Sequence, residues 1–142
     1  MKVVLQRVKA ADVYHEKKSI ATIKNGYVLL VGIGKNDTQI TIEKMVTKIL
    51  KYKLFENWKK NIVDKNFEIL VLSQFTLFAK FNGNKPDFHD ARSHEEAKEH
   101  FLQAIETFKS LYDEDKIKNG IFGVHLEIEL VNDGPVTIIK EF

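Results

Sequence analysis

Two short stretches hold the residues of this chain that could do chemistry: Ser73-Gln74-Phe75-Thr76-Leu77, and Asn132-Asp133-Gly134-Pro135-Val136-Thr137. The first closes an apolar run, Ile69-Leu70-Val71-Leu72. Polar side chains at the end of a buried strand need partners, because an unpaired one costs about 1–3 kcal/mol. Either the fold or a ligand takes those bonds. Thr76 is the candidate nucleophile here, but a neutral threonine needs a neighbouring base and the stretch supplies none. The second stretch reads locally as a turn between two strands. Its Gly134–Pro135 bond allows a sharper reading. Proline brings the cis form to within about 0.5–1 kcal/mol of trans, and glycine before it has no Cβ to clash. A cis bond would aim two successive carbonyl oxygens almost the same way. Such a pair makes a rigid wall that a side chain of one handedness would strike.

Other chemistries find little support. There is no G-x-S-x-G nucleophile elbow. The five histidines are scattered, and His94 and His100 fall on different faces of a helix. With no cysteine, disulfides, thiolate zinc sites and a cysteine nucleophile are excluded. We expect neither a metal nor a cofactor. Gly32-x-Gly34 follows a strand but lacks the third glycine of a dinucleotide loop and the lysine of a phosphate loop. It reads as a close-packed strand end.

The elements that must position these residues follow from periodicity. Residues 2–9 form a first strand, and 13–16 with 19–23 a hairpin tipped by Lys17-Lys18. Lys24-Asn25-Gly26 makes a turn, and YVLLVGI (27–33) is a buried strand. A helix capped by Asp37 or Thr38 runs to about residue 51, with Ile42, Met45, Val46, Ile49 and Leu50 on one face. Trp58 stands among Lys59, Lys60 and Lys65. It reads either as a ring folded over the edge of the core or as one free to stack a base. Residues 82–87 form a surface loop, and Lys80 and Lys85, next to the polar strand end, are solvated or meet phosphates. Ser93 and Glu96 suggest a capping box. The helix that follows carries Ala97, Phe101, Ala104, Ile105, Phe108 and Leu111 on one face. Residues 121–131 alternate as a long strand, residues 132–135 break it, and 136–140 resume as the last one.

Strands outnumber helices. The expected architecture is a single α/β domain over 1–142, layered β/β/α, with mixed, strongly curved sheets and two helices packed on one side. A chain of 142 residues with 44% hydrophobic and 30% charged content is ordinary for one soluble globule. The net charge of +2 gives no concentrated basic patch, although a protein that holds only one end of an RNA needs none. No apolar run approaches the roughly 18 residues of a membrane helix. The N-terminus enters a strand pattern directly, so we expect a cytoplasmic protein.

SQFTL followed by NxGPxT, with MKVVLQRV at the start and KNDT between, resembles the D-aminoacyl-tRNA deacylase family over nearly the whole chain. Residues 54–67 and 79–86 depart from the common form. The resemblance implies a homodimeric hydrolase with that family's fold. It would cleave the ester between a D-amino acid, or glycine, and the terminal adenosine of tRNA. Ser73, Gln74, Phe75 and Thr76 would line the pocket for the 3′ end. Gly134 and Pro135 of the other subunit would enter that pocket and reject L-amino acids, with Asn132 and Thr137 bracing the turn. Main-chain N–H groups near Phe75–Thr76 would stabilise the oxyanion, and the substrate's 2′-hydroxyl would assist the attacking water. A competing scheme makes Thr76 a covalent nucleophile. Two alternatives remain on the same fold: a relative with a trans Gly-Pro bond that clears small L-aminoacyl-tRNA, and a nucleic-acid-binding protein without turnover.

Overall fold

The computed structural model describes residues 1–142. Strand β1 (Lys2–His15) is the spine. Its first half pairs antiparallel with β3 (Gly26–Gly32), and its second half with β2 (Lys18–Ile23). β2 and β3 follow one another along the same edge of β1 in one register, and the sheet curves so that Ile23 joins Val28, Leu70 and Leu72 in one buried cluster. The hairpin tip is Glu16-Lys17, both at positive φ, rather than Lys17-Lys18. The expected first two strands are thus one longer strand.

Beyond β3 the sheet continues in parallel through β4 (Glu68–Ser73) to β7 (Ile117–Asn119). The last strand, β8 (Glu127–Glu141), runs antiparallel along nearly all of β1. The sheet is therefore mixed and strongly curved, as expected. Gly26 lets β3 and β4 approach, since a Cβ there would stand 1.8 Å from the Glu68 carbonyl oxygen.

Helices α1 (Gln39–Lys51) and α3 (His94–Leu111) pack on one side, with a four-residue helix, α2 (Ile62–Lys65), beside them. Thr38 caps α1, exchanging hydrogen bonds with Thr41. Lys48 and Lys51 complement the negative end of its dipole. Asp37 is not the cap. It is buried, takes the Met1 ammonium group, and accepts from the Gly34 N–H at 2.6 Å.

Two cores result. The larger joins α1 and α3 to one sheet face through residues such as Leu29, Met45, Val71, Phe101 and Phe108. The smaller lies where the sheet folds over itself, around Val8, Val13, Ile23, Val28 and Leu70. This is the expected β/β/α layering. No helix is long and apolar enough to cross a membrane.

Four local expectations fail. Residues 121–126 are not strand. Gly123, at φ +75, turns the chain there and lies against His94, so that a Cβ would be 2.4 Å from Nε2. Phe122 is half-buried against Phe101 by this turn, which imitates the alternation of a pleat. Residues 82–87 are mostly a small hairpin, β5 (Lys80–Asn82) with β6 (Lys85–Asp87). The Ser93 hydroxyl donates to the Glu96 carboxylate at 2.7 Å and gives the helix no side-chain cap. Leu111, the last residue of α3, is exposed.

Candidate functional site

The apolar residues of β4 are fully buried up to Leu72, and Ser73 is the first to emerge. The parallel ladder ends at Val31 and Ser73, and the Gln74 N–H donates to the Val31 carbonyl at 2.8 Å. The chain then tightens into a 3-10 turn, Phe75–Phe78. Two glycines of the neighbouring strand end fix where that turn sits. A Cβ on Gly32 would lie 3.0 Å from both the Gln74 carbonyl oxygen and Leu77 Cβ. One on Gly34 would lie 2.7 Å from Phe78 Cζ. The close-packed strand end read from Gly32-x-Gly34 thus has a named partner, the turn that carries SQFTL.

A cavity of about 680 Å³ opens beside it. Ser73, Gln74 and Phe75 form one wall, and Phe88, Arg92 and the Phe122–Leu126 turn form others. The half-buried Ser73 hydroxyl makes no hydrogen bond within the chain. The Gln74 amide donates to Thr76 Oγ1. Thr76 is exposed, does not line the cavity, and has no carboxylate or imidazole as partner. No side chain caps the Phe75–Phe78 turn, so its first N–H groups lack both an intrahelical and a capping acceptor.

The wall at Phe75 and Phe88 is aromatic, and a charged cluster adjoins Phe88 in sequence. Phe75 is 58% exposed and meets Phe88 edge to face, ring centres 5.0 Å apart. His89 bonds to the Asp87 carboxylate, and its Nε2 lies 3.2 Å from Asp90, which also pairs with Lys80. The bond from Lys80 holds the Asp90 carboxyl below the usual carboxylate range. The His89 N–H and ring do the same for Asp87. Arg92 ties the floor to the turn before α1. It donates to the carbonyls of Gly34 at 3.2 Å and of Lys35 and Asp37 at 2.6 Å each.

The second stretch lies elsewhere on the chain. Instead of a break between two strands it is a bulge inside β8. Between the pairs Gln6–Thr137 and Val8–Asn132, β1 advances two residues while β8 advances five. Asn132 and Thr137 are the ladder residues on either side, and Gly134 and Pro135 stand exposed at the top. Gly134 has φ +125, which an L side chain rarely adopts. The Gly134–Pro135 bond is cis, unlike the trans form of the alternative relative.

Arg7, which sequence reasoning passed over, holds the bulge in place. Its Nε donates to the Asp133 carbonyl at 3.2 Å and lies 3.1 Å from the Asp133 carboxylate. Its Nη1 donates to the Leu54 carbonyl, and the guanidinium lies over Phe55, centre to centre 5.7 Å. The available signal was that Arg7 and Arg92 are the chain's only arginines.

A single chain therefore brings Ser73, Gln74 and Phe75 together around one cavity. It brings none of Asn132, Gly134, Pro135 or Thr137 to it; β8 reaches the cavity only through Ile128.

Comparison with known proteins places this geometry. A family model described as D-Tyr-tRNA(Tyr) deacylase matches residues 4–141. The D-aminoacyl-tRNA deacylase of Schizosaccharomyces pombe is 46% identical over 146 residues, covering 99% of this chain and 98% of that protein. The D-aminoacyl-tRNA deacylase of Saccharomyces cerevisiae is 46% identical over 147 residues, with the same coverage. Among solved structures, the c-Myc DNA unwinding element binding protein superposes with a TM-score of 0.96 at 42% identity, covering 100% of this chain and 99% of that one.

Proposed function

The chain belongs to the D-Tyr-tRNA(Tyr) deacylase family, hydrolases of the aminoacyl-tRNA ester bond, and from that premise we propose that its stereochemical filter is supplied by a second copy of itself. The carrying observation is a separation. The cavity beside SQFTL is open, while the Gly134–Pro135 bulge stands exposed with nothing of its own chain to close on. In a homodimer, the bulge of one subunit enters the cavity of the other. Its main-chain carbonyl oxygens then occupy the space an L side chain would need. A D side chain points away from them, and glycine has none to exclude. Specificity here is a clash built against the wrong substrate. The exposed Val131 and Ile139 on the same strand support a partner-covered face.

Ser73, Gln74 and Phe75 receive the terminal adenosine and its ester. Water attacks the ester carbonyl carbon, and the uncapped N–H groups at Phe75 and Thr76 donate to the developing oxyanion. The 2′-hydroxyl of the substrate assists the attacking water. The C–O bond to the ribose then breaks, and the 3′-oxygen leaves with a proton. Free amino acid and tRNA are the products. No protein side chain forms a covalent bond in this scheme, which agrees with a Thr76 hydroxyl that faces no base.

Deacylation of D-aminoacyl-, L-aminoacyl- and glycyl-tRNA by the purified protein tests the reading. It requires turnover of the D and glycyl esters and none of the L ester. Faster turnover of L-alanyl-tRNA would select the alternative filter, and binding without turnover would select a nucleic-acid-binding role.

A further inference from the structure

The segment between α1 and α2 carries a feature that the reaction scheme leaves unused. Glu56, Asn57 and Trp58 have φ of +48, +56 and +66. Three successive non-glycine residues in the left-handed region are costly, and such strain persists only where the surroundings impose it. Here the Phe55 carbonyl accepts from the N–H groups of Lys59 at 3.0 Å and Lys60 at 3.1 Å, while the Phe55 N–H returns to the Lys60 carbonyl at 3.0 Å. Phe55 itself is buried and stacks on Tyr27, ring centres 5.3 Å apart. A rigid base thus supports a tight left-handed turn, and Trp58 at its top is 61% exposed instead of folded onto the core.

The charge around it is mostly positive, with Asp64 as the one unpaired acid nearby. Lys53, Lys59 and Lys60 are exposed and form no ion pair. Glu56, the acid of the turn, is paired with Lys65, whose bond holds the Glu56 carboxyl below its usual range. An exposed indole flanked by unpaired lysines suits a stacked base between two phosphates. Its place is fixed as well. One guanidinium, that of Arg7, donates to Leu54 at the foot of this turn and to Asp133 in the Gly134–Pro135 bulge.

We propose that the turn of Trp58, Lys59 and Lys60 contacts the acceptor end of tRNA, Trp58 stacking on an unpaired base and the lysines meeting the phosphates. This rests on the reading that the bulge enters the partner's cavity. The turn, fixed beside the bulge, then flanks that cavity's mouth and acts on substrate bound to the other subunit.

The test compares Trp58→Ala, Trp58→Phe and a Lys59→Ser/Lys60→Ser double variant. Two probes are used: uncharged tRNA for binding, and 3′-O-(D-aminoacyl)adenosine, which fills the cavity but has no further nucleotides. Trp58→Ala weakens tRNA binding about tenfold to a hundredfold, and Trp58→Phe recovers most of it. The double variant lowers the salt slope of binding by about one to two units. Hydrolysis of the aminoacyl-adenosine stays at the wild-type rate in all three. Unchanged tRNA affinity overturns the proposal, and so does an equal loss on both probes, which would make the turn a structural prop. If wild-type protein leaves the aminoacyl-adenosine intact, the reading of the cavity as the ester site fails. The uncharged-tRNA measurements still decide the role of the turn.

Discussion

The Arg7 side chain holds Asp133 by two routes at once, its Nε lying 3.2 Å from the main-chain carbonyl and 3.1 Å from the carboxylate. The same guanidinium reaches Leu54, so one side chain fixes the angle at which the bulge leaves β8. Lysine cannot reproduce that planar fork. Arg7→Lys should lower deacylation of D-aminoacyl-tRNA about tenfold and raise the L-ester rate, at a stability cost of only about 1–3 kcal/mol. Urea unfolding alongside D- and L-ester kinetics checks this. Unfolding in proportion to lost activity would contradict it.

Thr76 bonds to the Gln74 amide, which is a donor and not a base. Thr76→Ala should therefore keep turnover within about tenfold of wild type, since only a positioning contact is lost. Rapid-quench kinetics should show no burst of covalent acyl-enzyme. Complete loss of turnover with intact tRNA binding would restore the nucleophile scheme.

Gly32 touches the Gln74 backbone. Gly32→Ala should shift the Phe75–Phe78 turn and remove most activity, because a main-chain carbonyl cannot swing away like a flexible side chain. Gly83 makes the control. At φ +61 with open space around it, Gly83→Ala should cost about 1 kcal/mol and leave activity unchanged. Equal losses at both sites would deny the packing argument.

Tyr112 donates to the Phe67 carbonyl at 2.9 Å, and burial pushes its hydroxyl up to about 12. In the unfolded chain it titrates near 10. A group whose folded value is the higher one contributes fully below about pH 10 and loses that contribution as pH rises through 12. Denaturant midpoints should fall across this window. Tyr112→Phe should start lower at neutral pH and fall less steeply, with Tyr27, raised further by its burial, supplying part of the remaining slope.

Much of this was legible in the residues. The buried run before Ser73, the tight glycines and the two amphipathic helices follow from local pattern, and local pattern is what packing there obeys. What escaped was non-local. Nothing near Arg7 in sequence announces that it joins Leu54 to Asp133, because those contacts close only when β1 and β8 pair. The alternation of residues 121–126 was genuine, yet Gly123 converts it into a turn that buries Phe122 by another route. The placement of Trp58 was undecidable from sequence, since a left-handed run of Glu56, Asn57 and Trp58 is set by the bonds that close on Phe55. The cavity's other walls, Phe88, Arg92 and the Phe122–Leu126 turn, come from distant segments that share no motif.

Subunit complementation tests most directly the claim that one copy completes the site of another. Ala91→Trp fills the cavity, and Gly134→Val denies the bulge its positive φ; each variant alone should be inactive as a homodimer. Unfolded together and refolded as a mixture, they should regain about a quarter of wild-type activity, because about half the random dimers are mixed and each carries one intact site. No recovery, with mixed dimers demonstrably formed, would mean that the cavity and the bulge work within one chain, and the account would fail.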